Sequence, residues 1–97
     1  MRPILLLLFV IPSLVSADMI TAKKSKCLQC HHPTRKMSGP TMEQIAEKFT
    51  LSDVDYLVTE VKRGRKGEEL TWGRVKMPPS EAPKKDVKKV IEWMLTH

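Results

Sequence analysis

The sequence predicts an all-α fold, and three features of the chain point to it. Apolar residues recur three and four positions apart in several segments, as on one face of a helix. No stretch alternates apolar and polar side chains in the manner of a half-buried strand. Glycine and proline collect between the periodic segments, where loops are expected. We therefore expect about four helices in a single small domain.

The first 17 residues have the layout of a secretory signal peptide. A basic start at Arg2 precedes a mostly apolar run at residues 4–15, and small residues end the segment at Ala17. The run is shorter than the about 20 residues that a membrane-spanning helix needs, which makes a retained membrane anchor the weaker alternative. We expect export, cleavage after Ala17, no stable membrane insertion and a mature domain of residues 18–97.

A mature domain of this length is small for a self-sufficient hydrophobic core. Chains of about 80 residues or fewer usually need a staple, such as a metal or a set of disulfides. The two cysteines, Cys27 and Cys30, cannot build a disulfide framework, and aromatic residues are few. We therefore expect a bound group with a large apolar surface to supply part of the core.

The charge of the chain limits its partners. The full chain carries a net charge of +6, and loss of Arg2 lowers it by one. The basic residues form groups at 23–26, 62–66 and 84–89. Such groups form either a solvated face or a surface that steers a protein toward acidic partners. Nucleic acid is not an expected partner, because no aromatic residues for base stacking are interleaved with these lysines.

The first two helices have distinct signals. One helix is expected from Asp18 to about Lys26, where it leads into the first cysteine. The next is expected to begin at Thr41, since Gln44 three positions later completes a capping box. A loop rich in proline separates the two helices.

The second half of the chain is expected to hold two further helices and a long loop. Ser52 is expected to cap the third helix and Gly64 to end it. Residues 65–83 lack periodicity, and a loop of this length in a compact domain is usually functional or disordered. Its tryptophan and its methionine, Met77, favour an ordered, functional loop. Residues 84–95 then read as the last helix.

The residues Cys27-Leu28-Gln29-Cys30-His31 form the attachment signature of one c-type haem. Two thiols three residues apart in a helical turn can each reach one vinyl group of the porphyrin. His31 is then placed beneath the iron as the proximal ligand.

The same residues allow three other interpretations. A redox-active disulfide is typical of βαβ surroundings, which this chain lacks. Zinc would need a further ligand pair beyond His31 and its neighbour His32. A structural disulfide would leave His31 and the long loop without a role. The attachment of haem is therefore the favoured interpretation.

A haem iron needs a second axial ligand. The candidates in the mature chain are Met19, Met37, Met42, Met77, Met94, His32 and His97. Met42 and Met94 fall on helices and are expected in the core. Met77 lies in the aperiodic loop directly before Pro78-Pro79, and prolines can hold a loop residue in one pose. We expect Met77 to complete His/Met ligation and His32 to lie at the surface.

These features resemble the small bacterial monohaem class I cytochromes c, of the type that donates electrons to nitrite reductases and oxidases. The resemblance covers nearly the whole mature chain, including Pro40 nine residues after the motif histidine, Trp72 five residues before Met77, and Trp93 in the last helix. It implies a compact fold of about four helices around one covalently bound haem. It also implies that the Pro40 carbonyl accepts a hydrogen bond from His31, and that Trp72 donates one to a haem propionate.

The chain departs from this family pattern at one charged position. Glu60 stands where relatives of this type can offer an arginine to a propionate. Either Arg63 or Arg65 is a candidate substitute. The loop between Gly64 and Trp72 is also slightly longer than usual.

The resemblance implies a periplasmic, monomeric single-electron carrier rather than an enzyme. Its redox partners would be a reductase, oxidase or dehydrogenase with an acidic surface, met through basic residues such as Lys36, Lys62 and Lys76. Two alternatives stay open. One is an obligate subunit of a dehydrogenase; the other is a ligand-binding sensor or peroxidase-like enzyme, which would require Met77 to be absent or labile.

Overall fold

The computed structural model describes residues 17–67 and 75–97, and within them the all-α prediction is confirmed. The helices are α1 (Ala17–Lys24), α2 (Met42–Lys48), α3 (Val54–Arg63) and α4 (Lys84–Met94), with 3₁₀ turns at Cys27–Gln29 and Leu51–Asp53. The described ranges contain no strand beyond an isolated antiparallel bridge between Arg65 and Met77. In the same ranges, no helix has the length and apolar character required to cross a membrane.

The start of α2 follows the predicted capping box. Gln44 N donates to Thr41 Oγ1 at 3.0 Å, and Thr41 N donates to Gln44 Oε1 at 2.9 Å. Each side chain therefore satisfies a backbone donor that the first turn of a helix leaves without a partner.

Two predicted helix boundaries are wrong. α1 ends at Lys24 instead of about Lys26, because Lys26 adopts a positive φ of 67° that a right-handed helix cannot include. Ser52 does not cap α3; it lies in a 3₁₀ turn that begins after Thr50, whose N donates to Asp53 Oδ2 at 2.8 Å. At the other end of α3, Gly64 has a φ of 84° and ends the helix as predicted.

The core is organised around α4. One face of α4 packs on α3 through a cluster of Val54, Leu57, Val58, Val87 and Ile91. A second cluster joins α4 to α1 and α2 through Ala22, Met42, Val90 and Met94. Met42 and Ala22 are completely buried and Met94 nearly so, which confirms the expected core positions of the two methionines.

Candidate functional site

A cavity of about 630 Å³ brings the predicted site residues together. Its volume lies within the range of small-molecule and cofactor sites. Cys27, Cys30, His31 and Pro40 lie on its lining, and Met77 lies there too although it is 46 positions after the histidine in the sequence. The rest of the wall is mainly apolar and comes from α2, α3 and α4, through Ile45, Phe49, Leu57, Val61, Val87, Val90, Ile91 and Met94.

His31 is buried and its ring is held in one orientation. Nδ1 lies 2.8 Å from the Pro40 carbonyl oxygen. A carbonyl can only accept a hydrogen bond, so Nδ1 carries a proton, and in the neutral form of the ring the lone pair is then on Nε2. Neutral imidazole with its other nitrogen so bonded is the usual state of a metal-binding histidine.

Gly39 lets the loop pass close to this ring. A Cβ at Gly39 would lie 2.6 Å from His31 Cε1 and 2.9 Å from Nδ1. The amide of Gly39 also donates to the Cys30 carbonyl at 2.9 Å. A larger residue there would push the loop and the ring apart. The pair Gly39-Pro40 marks a loop in the sequence, but the close approach of Gly39 to His31 was not predicted.

The two cysteines sit on the 3₁₀ turn at the cavity edge. His31 N donates to the Cys27 carbonyl at 3.0 Å, so the histidine follows directly on this turn. Cys27 and Cys30 are half-buried. Burial raises the pKa of the Cys27 thiol, a hydrogen bond of its own backbone opposes this shift, and the neighbouring Cys30 adds to it.

The zinc alternative finds no support in the geometry. No group of three or more His, Cys, Asp or Glu side chains in the described ranges could hold a metal ion. His32 Nδ1 instead accepts hydrogen bonds from Thr34 N at 3.1 Å and Arg35 N at 2.9 Å, so its ring stabilises the following loop.

Met77 is held by the β-bridge to Arg65. Arg65 N donates to Met77 O, and Met77 N donates to Arg65 O, both at 2.8 Å. Gly64 makes the approach possible, since a Cβ there would lie 2.8 Å from both Met77 O and Pro79 N. This bridge is a feature that the sequence analysis missed. Gly64 is the signal for this bridge in the sequence, but the pattern there predicts only the end of α3.

A charged cluster lies next to this bridge. Glu60 is buried, and its carboxylate accepts from Arg63 Nη2 at 2.8 Å and from the Tyr56 hydroxyl at 3.1 Å. The pKa of Glu60 is lowered, and the hydrogen bond from Arg63 is the main cause. Burial acts in the opposite direction, whereas the hydrogen bond from Tyr56 and the charge of Arg65 lower the pKa further.

Arg65 lines the cavity whereas Arg63 does not. Its Nε lies 3.9 Å from a Glu60 oxygen, too far for a hydrogen bond, and is buried without a hydrogen-bond partner among the residues the structure describes. A buried N–H donor without a hydrogen-bond partner is suited to bind an acidic group of a bound molecule.

The remaining predicted site residues are Trp72 and the basic residues. Trp72 lies outside the described residues, as does most of the predicted signal peptide. Lys24, Lys26 and Lys76 are exposed side chains on the cavity lining. Lys62 was expected to join such a basic rim, but its ammonium donates to the carbonyls of Ser80 and Ala82.

Known proteins are similar to this chain in sequence and in fold. The cytochrome c family model matches residues 20–97. A cytochrome c-552 of Nitrosomonas europaea is 36% identical over 83 residues, covering 82% of this chain and 78% of the relative. A cytochrome c-551 of Allochromatium vinosum is 36% identical over 82 residues, covering 81% and 84%. The crystal structure of wild-type Nitrosomonas europaea cytochrome c552 superposes with a TM-score of 0.70 at 34% identity, covering 79% of this chain and 95% of the other.

Proposed function

This chain belongs to the cytochrome c family, as a small monohaem class I member that binds one covalently attached haem c, and on that premise we propose how it carries electrons. Cys27 and Cys30 form the two thioether links. His31 Nε2 and the Met77 sulfur are the axial ligands of the iron. The protein is a soluble monomer that shuttles single electrons between respiratory partners in the periplasm, and it is not an enzyme.

The observation that carries this proposal is the convergence of four donor atoms on one apolar cavity. Two cysteines, a histidine whose Nδ1 is bonded to the Pro40 carbonyl, and a methionine line the same space, together with Arg65, whose buried Nε has no hydrogen-bond partner among the described residues. This donor set fits a haem with its two acidic side chains. When bound, the haem supplies an iron that cycles between two oxidation states.

The residues of the chain then fix the environment of that iron. The Pro40 carbonyl keeps the proton on His31 Nδ1 and thereby keeps Nε2 available. The bridge to Arg65 holds the Met77 backbone at the cavity. With both His31 and Met77 bound to it, the iron would have no position left for a substrate, which favours a carrier over a sensor or a peroxidase-like enzyme. His/Met ligation also raises the reduction potential relative to two histidines.

Arg65 is the better of the two candidate contacts for a propionate. Its side chain reaches the cavity wall, and its Nε is buried with no hydrogen-bond partner among the described residues. Arg63 is more exposed and its guanidinium is hydrogen-bonded to Glu60. Trp72 keeps the propionate role that the family resemblance gives it.

A visible absorption spectrum of the purified holoprotein tests the proposal. The oxidised protein should show the weak sulfur-to-iron charge-transfer band, and the reduced protein should show sharp low-spin bands that carbon monoxide leaves unchanged. Met77→Ala should abolish the first and allow carbon monoxide to bind. Met37→Ala is the matched control, because Met37 is a half-buried loop methionine that does not line the cavity. A high-spin spectrum of the unsubstituted protein would contradict the proposal and favour a ligand-binding sensor or a peroxidase-like enzyme.

The exposed lysines at the cavity form the proposed docking surface for an acidic partner. Lys24, Lys26 and Lys76 lie on the cavity lining with exposed side chains, and Lys36 is also exposed. Charges at such a surface raise the encounter rate in a salt-dependent way. Replacing Lys26 and Lys76 by Gln should slow reduction by an acidic partner and flatten its salt dependence. An unchanged rate at low salt would remove the docking role.

Residues 1–17 are proposed to be a signal peptide that is removed on export. The mass of the protein purified from the periplasmic fraction should correspond to residues 18–97 plus one haem. A mass that retains residues 1–17 would favour a membrane anchor.

A further inference from the structure

We propose that Lys62 is a positioning residue for the Met77 ligand, and not part of the docking surface. Its ammonium binds the segment that follows Met77. This contact holds the segment against the end of α3. The inference rests on the proposed function, because it takes Met77 as an iron ligand. It adds a charged side chain to the set of groups that determine how firmly that ligand stays in place.

The Lys62 side chain is half-buried and bound at its tip. Its Nζ donates to the Ala82 carbonyl at 2.6 Å and to the Ser80 carbonyl at 2.9 Å, across 20 and 18 positions of sequence. An ammonium has three donors and no acceptor, so two converging carbonyls suit it well. Charge-assisted hydrogen bonds of this kind are stronger than those between neutral groups.

The segment that Lys62 binds has few donors of its own. Pro78, Pro79 and Pro83 carry no N–H. Of the amides between them, Ser80 N donates to Val61 O at 3.0 Å, and Ala82 N donates to Ser80 Oγ at 3.2 Å. The prolines limit the backbone hydrogen bonds that this segment can make, so side-chain contacts add to the few that hold its path.

The segment that contains Met77 is therefore held at two points. Both contacts come from the last turn of α3 and the residues just after it. Arg65 holds Met77 through the paired backbone bonds, and Lys62 holds Ser80 and Ala82. Gly64 lies between these two contacts, where a Cβ would lie 2.8 Å from both Met77 O and Pro79 N, so only a residue without a Cβ fits. Loss of the two Lys62 bonds would leave the bond from Ser80 N to Val61 O to hold this side of the segment.

A docking role would need an ammonium that is free to face a partner. The exposed Lys66, four positions further on, has a side chain of that kind, whereas the ammonium of Lys62 is committed to two carbonyls of the chain. Both residues carry the same charge, so this pair separates positioning from electrostatic steering.

The test compares Lys62→Met with Lys66→Met in the mature holoprotein. Lys62→Met keeps the apolar stem and removes the donors. Its reduced form should bind carbon monoxide about tenfold faster, since losing a charge-assisted hydrogen bond shifts an opening equilibrium by about this factor. Its sulfur-to-iron band should also fade at a lower temperature than in the unsubstituted protein. Lys66→Met should match the unsubstituted protein in both measurements.

Lys62→Arg is a second variant that keeps the charge and donors able to reach both carbonyls. It should retain the sulfur-to-iron band to higher temperature than Lys62→Met, and it tests the proposal even if Lys62→Met fails to retain haem. The proposal is overturned if neither Lys62 variant differs from Lys66→Met in carbon monoxide binding and thermal loss of the band. It is also overturned if Lys62→Met only slows reduction by an acidic partner at low salt. If the unsubstituted protein itself lacks the band, the proposed function fails, and this result needs no variant.

Discussion

The two sides of the cavity are built from different kinds of contact. The histidine side is local: His31 N, Gly39 N and His31 Nδ1 bond to carbonyls no more than nine positions away, and Met42 N reaches the His32 carbonyl at 3.0 Å. The methionine side joins α3 to residues 77–82 across 12 to 20 positions of sequence. One proposed ligand, His31, is therefore fixed mainly by its own segment, and the other, Met77, by tertiary structure.

This difference has consequences for stability. Short loops cost little entropy to close, and the histidine side also adjoins a completely buried core residue, Met42. The methionine segment is largely exposed at Pro78 and Pro79 and depends on a few hydrogen bonds to α3. Segments with few buried contacts open before the whole domain unfolds. We therefore expect Met77 to leave the iron at a lower temperature than that of global unfolding.

The largest effect is expected from Gly64→Ala, on the methionine side. The positive φ of 84° costs about 2 kcal/mol for alanine, and the 2.8 Å contacts of its Cβ with two backbone atoms cost about 2 kcal/mol more. Chemical denaturation should show a loss of about 4 kcal/mol, and the sulfur-to-iron band should disappear. Gly67→Ala is the matched control, since its φ is 58° but a Cβ would meet nothing within 4 Å. Equal effects of both substitutions would contradict the close approach.

Met42→Ala tests the histidine side through its core. Removing this fully buried side chain should lower the free energy of unfolding by about 3 kcal/mol. The sulfur-to-iron band of the folded protein should remain, because Met42 lies in the cluster with α1 and α4 and does not line the cavity. Met37→Ala, at a half-buried loop position, should change stability much less. A folded Met42→Ala protein without the band would mean that the two sides are not independent.

Thr41→Ala should produce a smaller change on the same side. It removes one hydrogen bond of the capping box at the start of α2 and should lower the free energy of unfolding by about 1 kcal/mol. Thermal melting should detect the shift, while Thr34→Ala, at an exposed loop position, should leave the midpoint unchanged. If the two threonine substitutions have the same effect, the capping box does not stabilise α2.

The smallest effect is expected from Glu60→Gln, and it should depend on pH. The folded-state pKa of Glu60 is lowered, chiefly by the hydrogen bond from Arg63, so its charged form stabilises the fold above the unfolded-state pKa of about 4.3. This contribution is lost as the pH falls through the lowered folded-state pKa. As the pH is lowered from about 6 to about 3, the melting temperature should fall more for the unsubstituted protein than for Glu60→Gln.

Glu47→Gln is the control for this comparison, because Glu47 is exposed on α2. It should keep the acid dependence of the unsubstituted protein. Identical pH dependence in all three proteins would show that Glu60 contributes no acid-sensitive stability.

The sequence predicted the histidine side better than the methionine side, for physical reasons. The attachment motif and the capping box of Thr41 and Gln44 are local patterns that the nearby chain can satisfy by itself. Met77 lines the cavity, and the prolines and the lack of periodicity mark its loop in the sequence. The roles of its neighbours could not be predicted, since the bridge to Arg65 exists only when α3 and the loop meet.

Individual errors have the same origin. Lys62 looked like any basic surface residue, because nothing in the sequence places two carbonyls at its tip. Ser52 was a reasonable cap by residue type, but Thr50 and Asp53 form the reciprocal pair and shift the start of α3. Positive φ at Lys26 ended α1 early, although lysine has no preference for that conformation.

The most direct test of the central claim is the proton NMR spectrum of the reduced holoprotein. The methyl group of an iron-bound methionine lies over the porphyrin ring, whose ring current moves its resonance far upfield of ordinary methyl signals. We expect one such methyl signal, lost in Met77→Ala and retained in Met37→Ala. Absence of the signal from the unsubstituted protein, or its survival in Met77→Ala, would contradict the assignment of His31 and Met77 as the two axial ligands.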